Sequence, residues 1–230
     1  SVSAAGEVLR EEIHRLETLA RTFAQFGHPP DGPMSSIDLI EMLSSLAYRL
    51  SAEGMSVRFE PPKEHLFIMG HLDALERVVR NLLSNAQESV WARATMDTGD
   101  GEGRRQPDER NSEPIQIDLI PSDSGVEIRV LDRGTGIPED VLPQIWEPEF
   151  TMKRKGTGLG LALVRQVVRT HGGEVEASNR EDGGAEFLVR LPFGPMGSEV
   201  DSPPPNDRAH HDATEGGLED QRPGAQVSAS

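Results

Sequence analysis

No cysteine occurs among the 230 residues. That excludes disulfide bridges, thiol catalysis and cysteine-ligated zinc, and it suits a reducing compartment. Aromatic residues make up only 4 %, so a core has to rest on leucine, isoleucine and valine. No apolar run reaches the roughly 18 residues that a membrane-spanning helix needs, and no membrane contact by this chain is expected. Positive charge is scarce as well: 23 lysines and arginines stand against 39 aspartates and glutamates, for a formal net charge of −16. A nucleic-acid-binding surface is not expected from that balance. The sequence opens SVSAAG without a methionine, which suggests a piece of a longer protein. The piece itself is expected to be cytoplasmic, whether or not its parent is anchored in a membrane.

What is present falls into segments. Residues 7–26 place Val8, Leu9, Ile13, Leu16, Leu19, Ala20, Phe23 and Phe26 at spacings of three and four, the pattern of an amphipathic helix. GHPPDGP stops it, because proline lacks a donor and restricts its predecessor. A second helix is predicted over about 37–52, ended by Gly54, followed by strands in MSVRFE (55–60) and LFIM (66–69). A long helix follows over 72–94. Residues 95–114 have no apolar period and read as a mobile surface loop. IQIDLI (115–120) and GVEIRVLD (125–132) form a hairpin around PSDS. An irregular stretch runs from DRGTGIP to Lys155, then a glycine-led helix to His171 and strands at 174–178 and 185–191. Beyond Pro192 the composition of Pro, Gly, Ser and acid predicts a disordered tail. Helices with an apparently antiparallel sheet make the fold class α+β rather than a doubly wound parallel sheet.

Three stretches could carry chemistry. Asn81 and Asn85 lie one turn apart on one face of the long helix, although asparagine is a poor helix former. By themselves they are either satisfied surface amides or hard oxygen donors suited to Mg²⁺. In DRGTGIP, Asp132 ends a strand and Gly134 and Gly136 follow at alternate positions. This is either a plain turn or a carboxylate placed for an exocyclic amine, with bare backbone for a flat ring. In KGTGLGLALV, Gly156, Gly158 and Gly160 lead into a helix. That is either a flexible N-terminus or a phosphate cradle of free N–H groups and helix dipole, with Lys153, Arg154 and Lys155 adding cations upstream.

The order and spacing of NLLSNAQES, DRGTGIP, IWEPEFTMK, KGTGLGLALV and GGAEFLVRLP resemble the N, G1, F and G2 boxes of the GHKL ATPase superfamily. The chain is most similar to the ATP-binding catalytic domain of sensor histidine kinases of two-component systems, in the nitrogen-regulator-like branch. The resemblance implies a two-layer α/β sandwich over 35–193, with a mixed, largely antiparallel sheet and helices on one face. It implies an ATP lid at 138–156 and a tail at 194–230. EEIHRLETLARTFAQFGHPP resembles the second helix of the dimerisation and phosphoacceptor hairpin, placing that part at 1–34. The cofactors implied are ATP and Mg²⁺, with Asn85 as metal ligand. Asn81 would help hold the phosphates and metal, and with Lys153 it is a catalytic candidate. The implied ATP-binding set is Asn81, Asn85, Glu88, Asp132, Gly134, Gly136, Ile137, Phe150, Lys153, Thr157, Gly158, Leu159, Gly160 and Leu161. Trp146 and Phe150 would anchor the lid, although WEPEF departs from the common FEPFF.

Within the superfamily, gyrase-like and chaperone ATPases and anti-sigma serine kinases carry a glutamate base where Asn81 stands. An amide has no useful basicity, so the residue favours transfer to histidine, which is nucleophilic when neutral. None of the seven histidines fits the acceptor box H-[ED]-x-x-[NT]-P, and His14 reads as a helix-surface residue. The expectation is therefore a kinase part without its acceptor helix, unable to autophosphorylate alone. Its partners would be its own acceptor hairpin, a homodimeric mate and a response-regulator receiver domain. A non-enzymatic nucleotide-binding scaffold and another GHKL ATPase or serine kinase are the alternatives.

Overall fold

The computed structural model describes residues 32–98, 113–153 and 156–194, together with Gly6, Arg10 and Ile13. At those three N-terminal positions the backbone is helical. Most of the helix expected over 7–26, most of the loop expected over 95–114, and the expected tail beyond Gly194 lie outside the described residues.

β1 (Ser35–Asp38) pairs antiparallel with β3 (Phe67–Gly70) as a separate two-stranded sheet, with Ile37 opposite Ile68. Helix α1 (Leu39–Ala52) starts where Asp38 caps it, its Oδ1 accepting from the Ile40 and Glu41 N–H groups at 2.9 and 3.3 Å. The helix thus begins two residues later than its periodicity predicts, because Ile37 is claimed by strand pairing and Asp38 by the cap. Leu39, Met42, Leu43, Leu46 and Leu50 form its buried stripe.

β2 (Val57–Phe59) precedes β3, and α2 (Leu72–Thr98) follows it. α2 continues four residues past the predicted end at Ala94. The Thr95 hydroxyl donates to the Ala92 carbonyl at 2.8 Å, so the polar stretch that reads as loop begins as helix. β4 (Ile115–Ser122) and β5 (Gly125–Leu131) form the expected hairpin. After an irregular stretch come α3 (Gly160–Thr170), β6 (Glu174–Asn179) and β7 (Ala185–Pro192).

The main sheet has the order β2-β4-β5-β7-β6. It is mixed rather than wholly antiparallel: β2 runs parallel to β4, because the crossover through β3 and α2 returns the chain in the same direction. Cross-strand rows Ile117–Val130–Phe187–Ala177 and Leu119–Ile128–Val189–Val175 line the inner face. The helices supply Leu43, Leu46, Leu75, Leu82, Leu83, Val164 and Val168, all buried. Truncating one of these leucines to alanine is expected to cost about 2–5 kcal/mol. The opposite face carries charge, with Arg190 bridging Glu127 at 3.3 Å and Glu176 at 3.0 Å. This two-layer arrangement brings the end of β5, the start of β7, one face of α2 and the N-terminus of α3 to one place. Among the described residues no helix is long and apolar enough to cross a membrane.

Candidate functional site

Those four elements, residues 145–153 and Gly156 line a cavity of about 800 Å³, ample for a nucleotide-sized ligand. At its sheet end Asp132 is 2 % exposed. Its Oδ1 accepts from the Gly134 N–H at 2.7 Å and the Ala185 N–H at 3.2 Å. Among the described residues both of these donors fall on that one oxygen. Burial raises the carboxyl's pKa, opposed by the two backbone donors and by Arg180.

The glycine loop after Asp132 is tightly fitted. A Cβ at Gly134 would lie 2.0 Å from Ser89 Oγ, so only glycine lets the loop approach α2. Ser89 Oγ accepts from the Thr135 N–H at 3.1 Å. Arg93 donates to the Arg133 and Gly134 carbonyls at 3.2 and 3.4 Å.

At the other end, Asn81, Asn85, Glu88 and Ser89 follow one another along one face of α2. Asn85 Oδ1 accepts from the Lys153 ammonium at 2.7 Å, and Lys153 also pairs with Glu88. Asn81 Nδ2 donates to the Gly160 carbonyl at 3.4 Å, tying α2 to the start of α3. Among the described residues no side chain caps α3, whose N-cap is Leu159, and its first turn holds no acid. Its leading N–H groups and positive dipole end therefore remain for an anion. Gly158 sits at φ +69 with its Cα against the Glu149 backbone, which a Cβ would meet at 2.3 Å.

Residues 138–150 wind through successive turns, with Val141 donating to Pro138 and Ile145 to Val141, both at 3.1 Å. Ile145 is buried. Trp146 meets Phe187 edge-on with centroids 6.2 Å apart, so the tryptophan of WEPEF packs on the sheet. Glu149, two residues on from Glu147, holds a positive φ of 66, a conformation unusual for a side-chain-bearing residue.

A family model described as "Histidine kinase-, DNA gyrase B-, and HSP90-like ATPase" matches residues 70–195, more than half of the chain and all of the elements just described from α2 onward. The chain belongs to this ATPase family. Within it, the similarity is to sensor kinases. The C4-dicarboxylate transport sensor protein DctB of Rhizobium meliloti (strain 1021) is 30 % identical over 80 % of this chain and 27 % of its own length. Sensor histidine kinase ZraS of Escherichia coli (strain K12) is 28 % identical over 81 % of this chain and 37 % of its own. The crystal structure of the ATP binding domain of PrrB from Mycobacterium tuberculosis superposes with a TM-score of 0.52 at 25 % identity, covering 71 % of this chain and 99 % of that one. The chain thus spans between a quarter and two fifths of the length of these two curated relatives.

In this ATPase domain the structure draws Asn85, Glu88, Asp132, Gly136, Ile137, Phe150, Lys153, Thr157, Gly158, Gly160 and Leu161 around one cavity. Three other sequence candidates stand behind the wall. Asn81 braces Gly160, Gly134 packs on Ser89, and Leu159 is buried. The wall also contains Gly156, the first glycine of KGTGLGLALV, and Ser89, Ala92, Met96, Thr135, Ile145, Thr151, Met152, Ala185 and Phe187, which sequence reasoning did not single out. Ser89 was open to discovery, since it lies four residues after Asn85 on the same helical face. Phe187 was not, because only the pairing of Val130 with Phe187 puts it beside the Asp132 end. Among the described residues no cluster of three or more His, Cys, Asp or Glu could hold a metal ion. The oxygen donors at the Lys153 end are the Asn85 amide and the Glu88 carboxylate.

Proposed function

We propose that this chain is the ATP-binding catalytic part of a sensor histidine kinase. It would transfer the γ-phosphoryl group of ATP to a histidine on an acceptor hairpin, for relay to a response-regulator aspartate. The acceptor hairpin of a homodimer and a receiver domain are the partners this reading implies.

The observation that carries it is Asn81, one turn before Asn85 and hydrogen-bonded through Nδ2 to Gly160. A side chain so placed braces the phosphate-facing helix and has no basicity with which to deprotonate water or serine. A neutral imidazole needs no such base. Its lone pair forms the N–P bond as the bond from phosphorus to the β–γ bridging oxygen breaks, and ADP leaves. The work left to the protein is positioning. Asp132 would accept from the adenine amine with the oxygen not used by Gly134 and Ala185. Gly136 and Ile137 would lie along the ring, and residues 157–161 with the α3 N-terminus would hold the phosphates.

Mg²⁺, when bound, would supply positive charge to the phosphate oxygens. Asn85 would ligate it, with Asn81 close by and Glu88 adjacent. The fit is supported by the Lys153 ammonium, since Asn85 Oδ1 and Glu88 together already hold a hard cation.

The test uses labelled ATP and detection of acid-labile, base-stable phosphate, with and without a separately made acceptor hairpin from the parent protein. Labelling that requires the hairpin and is lost in Asn85→Ala supports the reading. Strong labelling of the chain alone that disappears in His14→Gln would make His14 the acceptor. Labelling on serine would favour the serine-kinase alternative, and ATP binding by calorimetry without labelling in either arrangement would leave a nucleotide-binding scaffold.

A further inference from the structure

Asn179, the last residue of β6, lies outside the cavity wall yet holds the loop that forms it. Its Oδ1 accepts from the Ile137 N–H at 2.8 Å, and its Nδ2 donates to the Ile137 carbonyl at 2.6 Å. One carboxamide therefore satisfies both backbone groups of one residue, as a neighbouring strand would. A Cβ at Gly136 would approach Asn179 Oδ1 to 3.0 Å, so the same amide also packs on the glycine. Asn and Gln alone carry a donor and an acceptor in this planar arrangement; aspartate offers acceptors only.

The position of Ile137 gives the clamp its consequence. It lines the cavity with Gly136 and Asp132, and it directly precedes Pro138, where the run of turns toward Trp146 and Phe150 begins. Proline has no N–H to tie the chain there, so the fixed point falls on Ile137. The residue after the clamp works on the same end of the site: Arg180 donates to the Asp132 carbonyl at 3.3 Å.

We propose that Asn179 is a positioning residue for nucleotide binding. It fixes the point where the chain leaves the base-contacting loop and enters the lid, so that Gly136, Ile137 and the turns beyond hold one geometry beside Asp132. The inference rests on the reading of the cavity as an adenine-nucleotide site. Asn179 is exposed and water competes for both bonds, so its loss is expected to loosen the loop while the fold persists.

The experiment uses the full chain, with ADP as probe. By calorimetry, Asn179→Asp and Asn179→Ala are expected to bind ADP at least about tenfold more weakly than wild type, with thermal midpoints close to wild type. Asn179→Gln, which keeps donor and acceptor, is expected to recover part of the loss. Hydrogen exchange on ligand-free wild type gives a reading independent of any variant's folding. The Ile137 amide is expected to be protected, and to lose that protection in Asn179→Asp while the β5 amides keep theirs. Unchanged ADP affinity in both variants, or an Ile137 amide exchanging at an unprotected rate in wild type, would overturn the proposal. Wild type failing to bind ADP while Ile137 stays protected would instead sink the nucleotide reading and leave the clamp standing.

Discussion

At Asp132 the two carboxylate oxygens differ: Oδ1 is held by the Gly134 and Ala185 N–H groups, and the other oxygen is the one we propose meets the adenine amine. Asp132→Asn preserves the first role and reverses the second, since an amide nitrogen would then meet the adenine amine donor to donor. A lost hydrogen bond to a charged group costs about 1.5–3 kcal/mol, so ADP affinity is expected to fall tenfold or more by calorimetry. Stability should move the other way or stay put. Burial raises the Asp132 pKa, so its contribution to stability is fully present below the unfolded-state value and is lost as pH rises through the folded one. Whatever fraction of Asp132 is ionised in the folded protein is a buried charge that the asparagine variant lacks. A thermal midpoint clearly lower in Asp132→Asn at neutral pH would show that the carboxylate is structural rather than ligand-facing.

The glycine-led entry to α3 reads in the sequence as one uniform element, but its members differ in what they require. Gly158 needs its left-handed φ, and a Cβ there runs into the Glu149 backbone. Gly160 has no positive φ, and the nearest atom to its Cβ would be Asn81 Cγ at 4.0 Å. Gly158→Ala is expected to destabilise by on the order of 1–3 kcal/mol, from backbone strain alone, and to displace Glu149 as well. Gly160→Ala is expected to be neutral or to stabilise by up to about 1 kcal/mol, because alanine is the better helix former. Urea denaturation of the two variants measures the contrast. Equal losses would mean that the loop moves as a unit and that neither contact decides its shape.

Across the whole molecule, two histidines join parts distant in sequence. Buried His171, just past α3, accepts the His71 backbone N–H on Nε2 at 3.0 Å, and its Nδ1–H donates to the Val167 carbonyl at 2.8 Å. His71 Nε2–H in turn donates to the Gly32 carbonyl at 2.9 Å, ahead of β1. Burial lowers the His171 pKa, the Val167 bond opposes it, and His71 lowers it further. Its contribution to stability is thus present above the ordinary histidine value of about 6.5 and lost as pH falls from there through the lowered folded value, since the unfolded chain takes up the proton first. Protonation also removes the acceptor for His71. The urea midpoint is expected to drop between about pH 7.5 and about pH 5.5, and to drop less in His171→Gln. Identical slopes in the two proteins would assign the acid sensitivity elsewhere.

The sequence by itself determined most of the elements, β1 apart, and the family to which they belong. Helical and strand periods reflect which side chains are buried, glycines at alternate positions reflect backbone approach, and Asn81, Asn85 and Asp132 stand in boxes whose spacing is local. Their boundaries were less legible where two local preferences compete, as at Ile37 between helix and strand and at Thr95 between loop and helix. What the tertiary structure alone decided is which groups meet across long stretches of chain. Lys153 reaches Asn85 and Glu88, Arg93 holds the carbonyls of the glycine loop, and Phe187 floors the cavity. The parallel pairing of β2 with β4 and the Asn179 clamp on Ile137 belong with them. None of these leaves a periodic trace, because a hydrogen bond between distant residues is set by the packing of the elements that carry them rather than by the residues on either side.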